Sequence, residues 1–443
     1  MTIRELIFRA KWQRYHSTAF QVFDRALANE RLSRDELLAR QEVSRRNLVR
    51  AAMCRTEFYR KHYSAVGFEP GDIGKDGWFE QLPIVTKNDF REKYDEFIDC
   101  EFRSCVQVST TGGSTGVPTK TGYDKRVPEE IYSWRLQNWF GVHPWDDHAY
   151  IWRDTRSSWL AKVKNAAAWW PTRHLKLDAS CVSEQAIVSF LKRYERLRPS
   201  LVYGYVGAVT QVAEYILQHR CDVIENPNLR FVWVTSAPLS PVQRRVISSA
   251  FGVPVCDQYG SCEVRAIAQQ CPAMQGLHVN TEHVHIEFVD ESNVPVRCGD
   301  YGRTLLTNLE DTVFPIIRYE NGDRGRWLPG QCSCGRSLPC IDSVKGRECE
   351  SFVLPSGRII NGEFLTTIFD ARPDCVKGFR IIQKLDKSVV VEYVPNADEQ
   401  VIIKELKIFS AKLGNEVPVS FVKVPSIQHD RGKNRFVVVE GKQ

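Results

Sequence analysis

The chain is 443 residues long, 43% apolar and 26% charged, with a net charge of +6 from 60 basic and 54 acidic side chains. That length suits two or three domains, and the even mixing of signs leaves no basic run of the kind a nucleic-acid binder displays. No apolar stretch reaches membrane-spanning length and charges interrupt the apolar positions of Met1 to Arg9, so a soluble, unexported, cytoplasmic protein with no membrane insertion is predicted, its 14 cysteines reduced or metal-bound rather than in disulfides.

The first clear pattern is a helix over residues 31–62. Ser33 and Glu36 form a capping box ahead of Leu37, Leu38, Val43, Leu48 and Ala51. Thr86 and Asp89 mark a second helix start just after the extended stretch Leu82-Pro83-Ile84-Val85. The run Cys105-Val106-Gln107-Val108 reads as a short strand, and Ser109-Thr110-Thr111-Gly112-Gly113-Ser114-Thr115-Gly116-Val117-Pro118-Thr119 follows it. Hydroxyls and glycines in that density let several N–H and O–H groups face one anion, which makes a phosphate nest. It is not a Walker A loop, since no Gly-Lys-Ser/Thr closes it.

Tryptophan is then dense, at Trp134, Trp139, Trp145, Trp152, Trp159, Trp169 and Trp170. Such density could line an apolar or aryl pocket, although core packing is the commoner use of any one ring. Beyond it, strands alternate with helices. Ser200 to Tyr205, Leu229 to Thr235 and Val253 to Tyr259 read as strands, each opening into small or polar residues, with helices near 185–198, 209–217 and 242–250 between and before them. That alternation predicts an α/β core with sites at the strand ends.

From 278 the texture turns β-rich: His283 to Val289 and Thr304 to Asn308 alternate, and Phe314 to Tyr319 does so in part. The residues after Glu350 form a separate pattern, with strands near 358–361, 379–383, 388–394 and 435–440 and helices near 363–370 and 397–413. The expected organisation is a large N-terminal α/β domain over 1–349 and a small α+β domain over 350–443.

Five stations in this order carry a resemblance. Thr111-Gly112-Gly113-Ser114-Thr115-Gly116-Val117-Pro118 resembles the phosphate loop of AMP-forming adenylating enzymes, and Gln258-Tyr259-Gly260-Ser261-Cys262-Glu263 resembles their Tyr-Gly-x-Thr-Glu segment. Arg318-Tyr319-Glu320-Asn321-Gly322-Asp323 is similar to their ribose segment, Gly346-Arg347 with Glu350 to their hinge, and Arg431-Gly432-Lys433-Asn434-Arg435-Phe436 to their C-terminal lysine segment. The branch resembled most is the phenylacetate–coenzyme A ligase-like family, with its relatives associated with capsular polysaccharide synthesis. The resemblance spans about residues 80–440; each motif alone is weak, and their shared order is the strong signal.

The resemblance implies an AMP-forming ligase with a large N-terminal adenylation domain and a small mobile C-terminal lid. A carboxylic acid and ATP would give acyl-AMP and pyrophosphate, and coenzyme A would then take the acyl group. By the same resemblance Thr111, Gly112, Gly113, Ser114, Thr115 and Gly116 hold the β- and γ-phosphates and Glu263 carries Mg²⁺. Ser236, Ala237 and Pro238 line the adenine, Tyr259 stacks on it beside Gly260, and Asp323 accepts the ribose hydroxyls. Arg347 reaches the ribose or phosphate, and Lys433 brings a point charge to the carboxylate and α-phosphate. Taken singly, Asp323, Glu263 and Lys433 read as turn or surface residues.

Two departures stand out. Thr119 rather than lysine follows Pro118, as in the phenylacetate branch, with Lys120 one place later. Cys262 stands where threonine is usual, which replaces a strong donor by a weak S–H and puts the adenylation rate in doubt. An amine acceptor, as in amide synthesis, and a nucleotide-binding scaffold without turnover are the rival readings. Cys271, His278, Cys332 and Cys334 make a Cys₃His set suited to structural Zn²⁺, with Cys340 in reserve. The acid is expected to be apolar, with an aromatic one suggested by the tryptophans and Tyr203-Gly204-Tyr205; a homodimer is compatible with the sequence.

Overall fold

The computed structural model describes residues 1–111, 119–127, 129–153, 159–180, 182–219, 225–237, 239, 241–342, 344, 352–360, 365, 368–369, 372, 375–396, 398–425 and 437–441. They form a mixed α/β protein that divides into two compact units. One comprises Met1–Ser109, Lys120–Trp145 and Cys256–Gly346, the other Thr110–Thr119, Asp146–Val255 and Arg347–Gln443.

In the second unit the strands His174–Asp178, His148–Trp152, Leu201–Tyr205 and Phe231–Thr235 lie side by side in that order, all parallel. Parallel neighbours need crossovers, and the helices Glu184–Leu197 and Val206–His219 supply them. Leu177, Val202, Val232 and Val234 meet Phe190, Val212 and Ile247 in one core. Gly204 is required there, because a Cβ would stand 2.6 Å from the Ile151 carbonyl oxygen.

The C-terminal part of this unit is a four-stranded sheet in the order Val419–Lys423, Val389–Pro395, Val376–Gln383 and Val437–Val439. Its central pair is antiparallel and both outer strands are parallel to their neighbours. The helix Glu399–Leu413 covers it through Ile402, Leu406 and Phe409. Sequence alternation did not expose Val419–Lys423, a short strand in which Val419 and Phe421 are half-buried against the core and the exposed Val422 breaks the rhythm. The helix expected near 363–370 falls largely outside the described residues.

The first unit carries two antiparallel sets of strands. Val255–Tyr259 pairs with Ala268–Gln270, that strand with Leu277–Val279, and that one with Cys340–Ile341. A second sheet joins Val284–Val289, Gly302–Asn308 and Tyr319–Gly325. The helices Arg34–Arg55 and Glu57–Ser64 replace the single helix expected over 31–62. The Ser33 capping box opens the first, and Thr56, extended at φ −116°, caps the second. The expected box at Thr86 and Asp89 opens Lys87–Lys93.

One expectation changes. Phe314 to Arg318 is not a strand: its alternation belongs to a buried turn, with Arg318 at φ +49°, and the strand starts at Tyr319. Trp134 and Trp145 follow the commoner use of such rings: they pack with Phe8 and Phe23 in a buried core beside the helices Ile3–Tyr15 and Ala19–Asn29.

Candidate functional site

The first unit holds Tyr259, Gly260, Glu263 and Asp323 of the expected nucleotide site. Leu82 to Lys87 runs alongside Arg318 to Glu320: Val85 N donates to the Arg318 carbonyl at 3.1 Å, and Glu320 N donates to the Val85 carbonyl at 2.9 Å. Arg318 makes this possible. Its buried guanidinium bonds to Glu287 at 3.1 Å, donates to the Glu80 carbonyl at 2.6 Å and also donates to the Leu82 carbonyl. Tyr59 adds a clamp, accepting from Ile317 N at 3.0 Å and donating to the Pro315 carbonyl at 3.0 Å.

On that frame, the Tyr319 hydroxyl donates to Glu263 Oε1 at 3.0 Å and Lys87 Nζ lies 3.9 Å from the same oxygen. Glu263 is therefore a buried carboxylate with a donor and a cation beside it, the form in which a carboxyl group survives burial. Next to it, Tyr259 OH donates to Asp323 Oδ2 at 2.9 Å, while Asn321 Nδ2 reaches Tyr259 OH at 2.6 Å and Asp323 Oδ2 at 2.7 Å. Burial first, and then the Asp323 charge, hold the Tyr259 phenol far above its usual range, so it stays a neutral donor. Asp323 N donates to Asn321 Oδ1 at 3.1 Å, which fixes the turn at Gly322, φ +87°. A carboxylate so held presents an acceptor-only group of the kind two vicinal hydroxyls would meet.

The second unit carries Ser236 and Ala237 just past the strand Phe231–Thr235. Ser236 is exposed at φ +78°, a conformation rare for a residue with a Cβ and one that concentrates at functional turns. Thr111 ends the strand Val106–Thr111. Gly112, Gly113, Ser114, Thr115, Gly116, Pro238, Arg347, Glu350 and Lys433 lie outside the described residues. On the same parallel sheet, Tyr203 stacks 5.0 Å from Trp152 and lies 4.2 Å from Trp233, and Trp152 lies 4.2 Å from Tyr205. This aromatic group is the part of the tryptophan-rich region that sits on the sheet itself.

Cys271, His278, Cys332 and Cys334 come together in the first unit, their ligand atoms all within 4.8 Å of one another. Cys271 Sγ is 3.6 Å from Cys332 Sγ, and Cys334 Sγ is 3.3 Å from His278 Nε2. A tetrahedral zinc with Zn–S bonds of about 2.3 Å separates its sulfurs by roughly 3.8 Å, so the spacing fits. His278 Nδ1 faces the Leu338 carbonyl at 3.0 Å, which places the proton there and turns the Nε2 lone pair to the cluster. Burial pulls this imidazole down to about 4, keeping it neutral as a ligand must be. Burial raises the Cys334 thiol, but bonds from the Arg336 backbone and side chain outweigh it and leave it below the ordinary value. Cys340 stands apart, 3.4 Å from the Nδ1 side of the ring, with its thiol pushed by burial up to about 12.

Sequence reasoning gave no role to Lys87, Tyr319, Asn321 or Arg318. Tyr319 and Asn321 lie inside a quoted motif, but their partners are 56 and 62 residues away. Lys87 looked only like the first residue of a capped helix.

The chain is similar to known proteins over most of its length. Residues 352–440 match the family model described as the CapK C-terminal domain. Phenylacetate-coenzyme A ligase of Escherichia coli (strain K12) is 24% identical over 353 residues, covering 73% of this chain and 74% of its own. Protein CapK of Staphylococcus aureus is 24% identical over 387 residues, covering 81% and 79%. Among solved structures, 2-hydroxyisobutyryl-CoA ligase in complex with 2-HIB-AMP and CoA superposes with a TM-score of 0.64 at 20% identity, over 93% of this chain and 91% of that one. The chain therefore resembles phenylacetate-coenzyme A ligases and CapK over most of its length, and its fold is that of the acyl-CoA ligases.

Proposed function

We propose that this chain is an AMP-forming acid–thiol ligase. The observation that carries the proposal is the convergence of Tyr259, Asn321 and Asp323 beside the buried Glu263, residues that the sequence scatters over 65 positions. One carboxylate held by a phenol and an amide beside a second one held by a phenol and a lysine suits a ribose next to a metal-bound phosphate chain.

In the first step a carboxylate oxygen of the substrate acid attacks the α-phosphorus of ATP. The bond to the bridging oxygen breaks and pyrophosphate leaves with the electron pair. Little covalent work falls to the protein, so its task is positioning and charge. Asp323 would accept from the ribose hydroxyls, Tyr259 would present its ring to the adenine, and Ser236 with Ala237 and Pro238 would line the base. The loop Thr111 to Gly116 would hold the β- and γ-phosphates. Glu263 fits Mg²⁺, being a hard oxygen ligand held in place by the Tyr319 hydroxyl at 3.0 Å with Lys87 Nζ at 3.9 Å; the ion would neutralise phosphate charge. Lys433 would meet the acid and α-phosphate, and Arg347 the nucleotide.

In the second step the sulfur of coenzyme A attacks the acyl carbon, AMP departs with the bonding pair, and the thiol proton passes to solvent. Coenzyme A is the acceptor favoured by the relatives' printed names. The aromatic group at Trp152, Tyr203 and Trp233 supports an aromatic acid. A boundary near Glu350, with 350–443 as the lid, is supported by a C-terminal family match that begins at residue 352. Zn²⁺ would sit in the Cys₃His cluster as a structural ion, because four protein ligands leave no open position. No described helix is long and apolar enough to cross a membrane; a need for ATP and coenzyme A, with thiol ligands kept reduced, argues for the cytoplasm.

The test is acid-dependent ATP–pyrophosphate exchange over aryl, fatty, hydroxy and amino acids, with Asp323→Asn and Lys433→Ala alongside. Exchange with one acid class, lost in both variants, and thioester formation on adding coenzyme A are expected. ATP binding without exchange for any acid would leave a nucleotide-binding scaffold in place of the ligase. Transfer to amines but not to coenzyme A would make it an amide synthetase.

A further inference from the structure

The turn that presents Glu263 is held by a device outside every motif named so far. After Tyr259 the chain passes through Gly260 to Ala266, and Ala266 sits at φ +46°. This brings three successive carbonyls to face one neighbouring turn, Asn280 to His283. The Arg265 carbonyl lies 2.9 Å from His283 Nε2, the Ala266 carbonyl accepts from Asn280 Nδ2 at 2.5 Å, and the Ile267 carbonyl accepts from Asn280 N at 3.0 Å. Inside the turn, Ser261 N donates to the Val264 carbonyl at 2.9 Å, and Val264 N donates to Ser261 Oγ at 3.0 Å.

His283 itself is fully buried, and its second nitrogen, Nδ1, lies 3.1 Å from Glu310 Oε2. A carbonyl oxygen can only accept, and so can an ionised carboxylate. With both ring nitrogens facing such oxygens, each must carry a proton. We propose that His283 is an imidazolium at neutral pH that positions Glu263, its charge balanced by Glu310 and its Nε2–H gripping the turn through the Arg265 carbonyl.

The surroundings suit a cation. The Tyr132 ring stacks 4.7 Å from the imidazole. Burial works against the charged form, but Glu310 and then Glu129 outweigh it and hold His283 above the ordinary histidine range. The other charged groups around it are the Arg265 guanidinium, 3.5 Å from Glu129, and Glu282, paired with Arg135 at 2.5 Å. His283 touches no reacting atom in this arrangement, so it is a positioning residue. The catalytic half of the inference rests on Glu263 serving the metal; the protonation half does not.

The test uses the full chain, labelled with ¹⁵N-histidine, together with His283→Gln and Glu310→Gln. At about pH 8, where a free histidine is neutral, one imidazole with both nitrogens protonated is expected. It should vanish in His283→Gln and become singly protonated in Glu310→Gln. Hydrogen exchange of the 259–267 peptide should speed up in His283→Gln while the C-terminal sheet keeps its protection. In pyrophosphate exchange, the Mg²⁺ concentration giving half the maximal rate should rise about tenfold or more, as when supporting residues of metal ligands are removed. The rate at saturating Mg²⁺ should stay within about twofold of the parent if only positioning is lost. A singly protonated His283 in the parent overturns the inference, and so does an unchanged Mg²⁺ requirement in an enzyme that exchanges. If the parent shows no exchange at all, the ligase reading fails, and the proton count with the 259–267 exchange still decides the clamp.

Discussion

Tyr259 and Asp323 are 64 residues apart in sequence, yet the phenol donates to the carboxylate across 2.9 Å, with Asn321 bonded to both. This triangle fixes the direction of the Asp323 lone pairs before any ligand arrives. Asp323→Asn keeps the volume and one acceptor but loses the charge and half of the acceptor capacity. Hydrogen bonds to charged groups are worth about 1.5–3 kcal/mol each, so nucleotide affinity should fall roughly ten- to a hundredfold. Calorimetric titration with ATP measures it. An affinity within twofold of the parent would remove Asp323 from the ribose.

The Cys₃His cluster predicts one zinc per chain by elemental analysis. Cys271→Ser and Cys334→Ser should each lose the metal and lower the melting temperature. Cys340→Ser should retain it, because Cys340 lies on the Nδ1 side of His278, away from the four ligand atoms. Catalysis by the fraction still folded should persist in the zinc-free variants, as expected for a closed structural site. Zinc lost from Cys340→Ser alone would redraw the ligand set.

The zinc candidates were legible because cysteine and histidine advertise their chemistry by type: Cys271 and Cys332 could be paired on paper though 61 residues apart. The parallel sheet was legible because buried strands ending in small residues alternate with helices of clear period. The backbone conformation of Arg318 was not, since a left-handed arginine looks like any other in the string. Its alternating neighbours even imitated a strand. Nor could spacing show that the Val85 stretch would lie beside Tyr319 and so carry Lys87 to Glu263. The shared cause is that these contacts depend on tertiary register, which local pattern does not encode.

Arg318 offers the sharpest stability test of that register. It is 1% exposed and its guanidinium bonds to Glu287 and to the carbonyls of Glu80 and Leu82. Replacing it with methionine leaves the Glu287 carboxylate buried without its partner, at a cost of about 3–5 kcal/mol. Arg318→Met with Glu287→Met should recover a large part of that loss in urea unfolding. Recovery would assign the single-variant loss to the stranded charge; no recovery would assign it to the carbonyls that Arg318 holds.

The charge on His283 also predicts a pH dependence of stability. Burial lowers its proton affinity, but Glu310 and Glu129 outweigh burial, so the folded-state pKa stands above the ordinary value. Between the two values the folded chain holds a proton that the unfolded chain has released, so stability falls as pH rises through that window. The contribution is complete below about pH 6.5, the ordinary histidine value, and is lost as pH rises through the folded-state value. His283→Gln has no such proton. The stability gap between parent and variant should therefore be widest near pH 6 and narrow towards alkaline pH, measured by urea unfolding at stepped pH. Titrating groups distant from His283 are common to both proteins and cancel in the difference; Glu310 and Glu129 face it and are counted with it. A gap that stays constant or widens with pH would mean that the folded His283–Glu310 pair holds no extra proton, with His283 buried neutral beside an ionised Glu310.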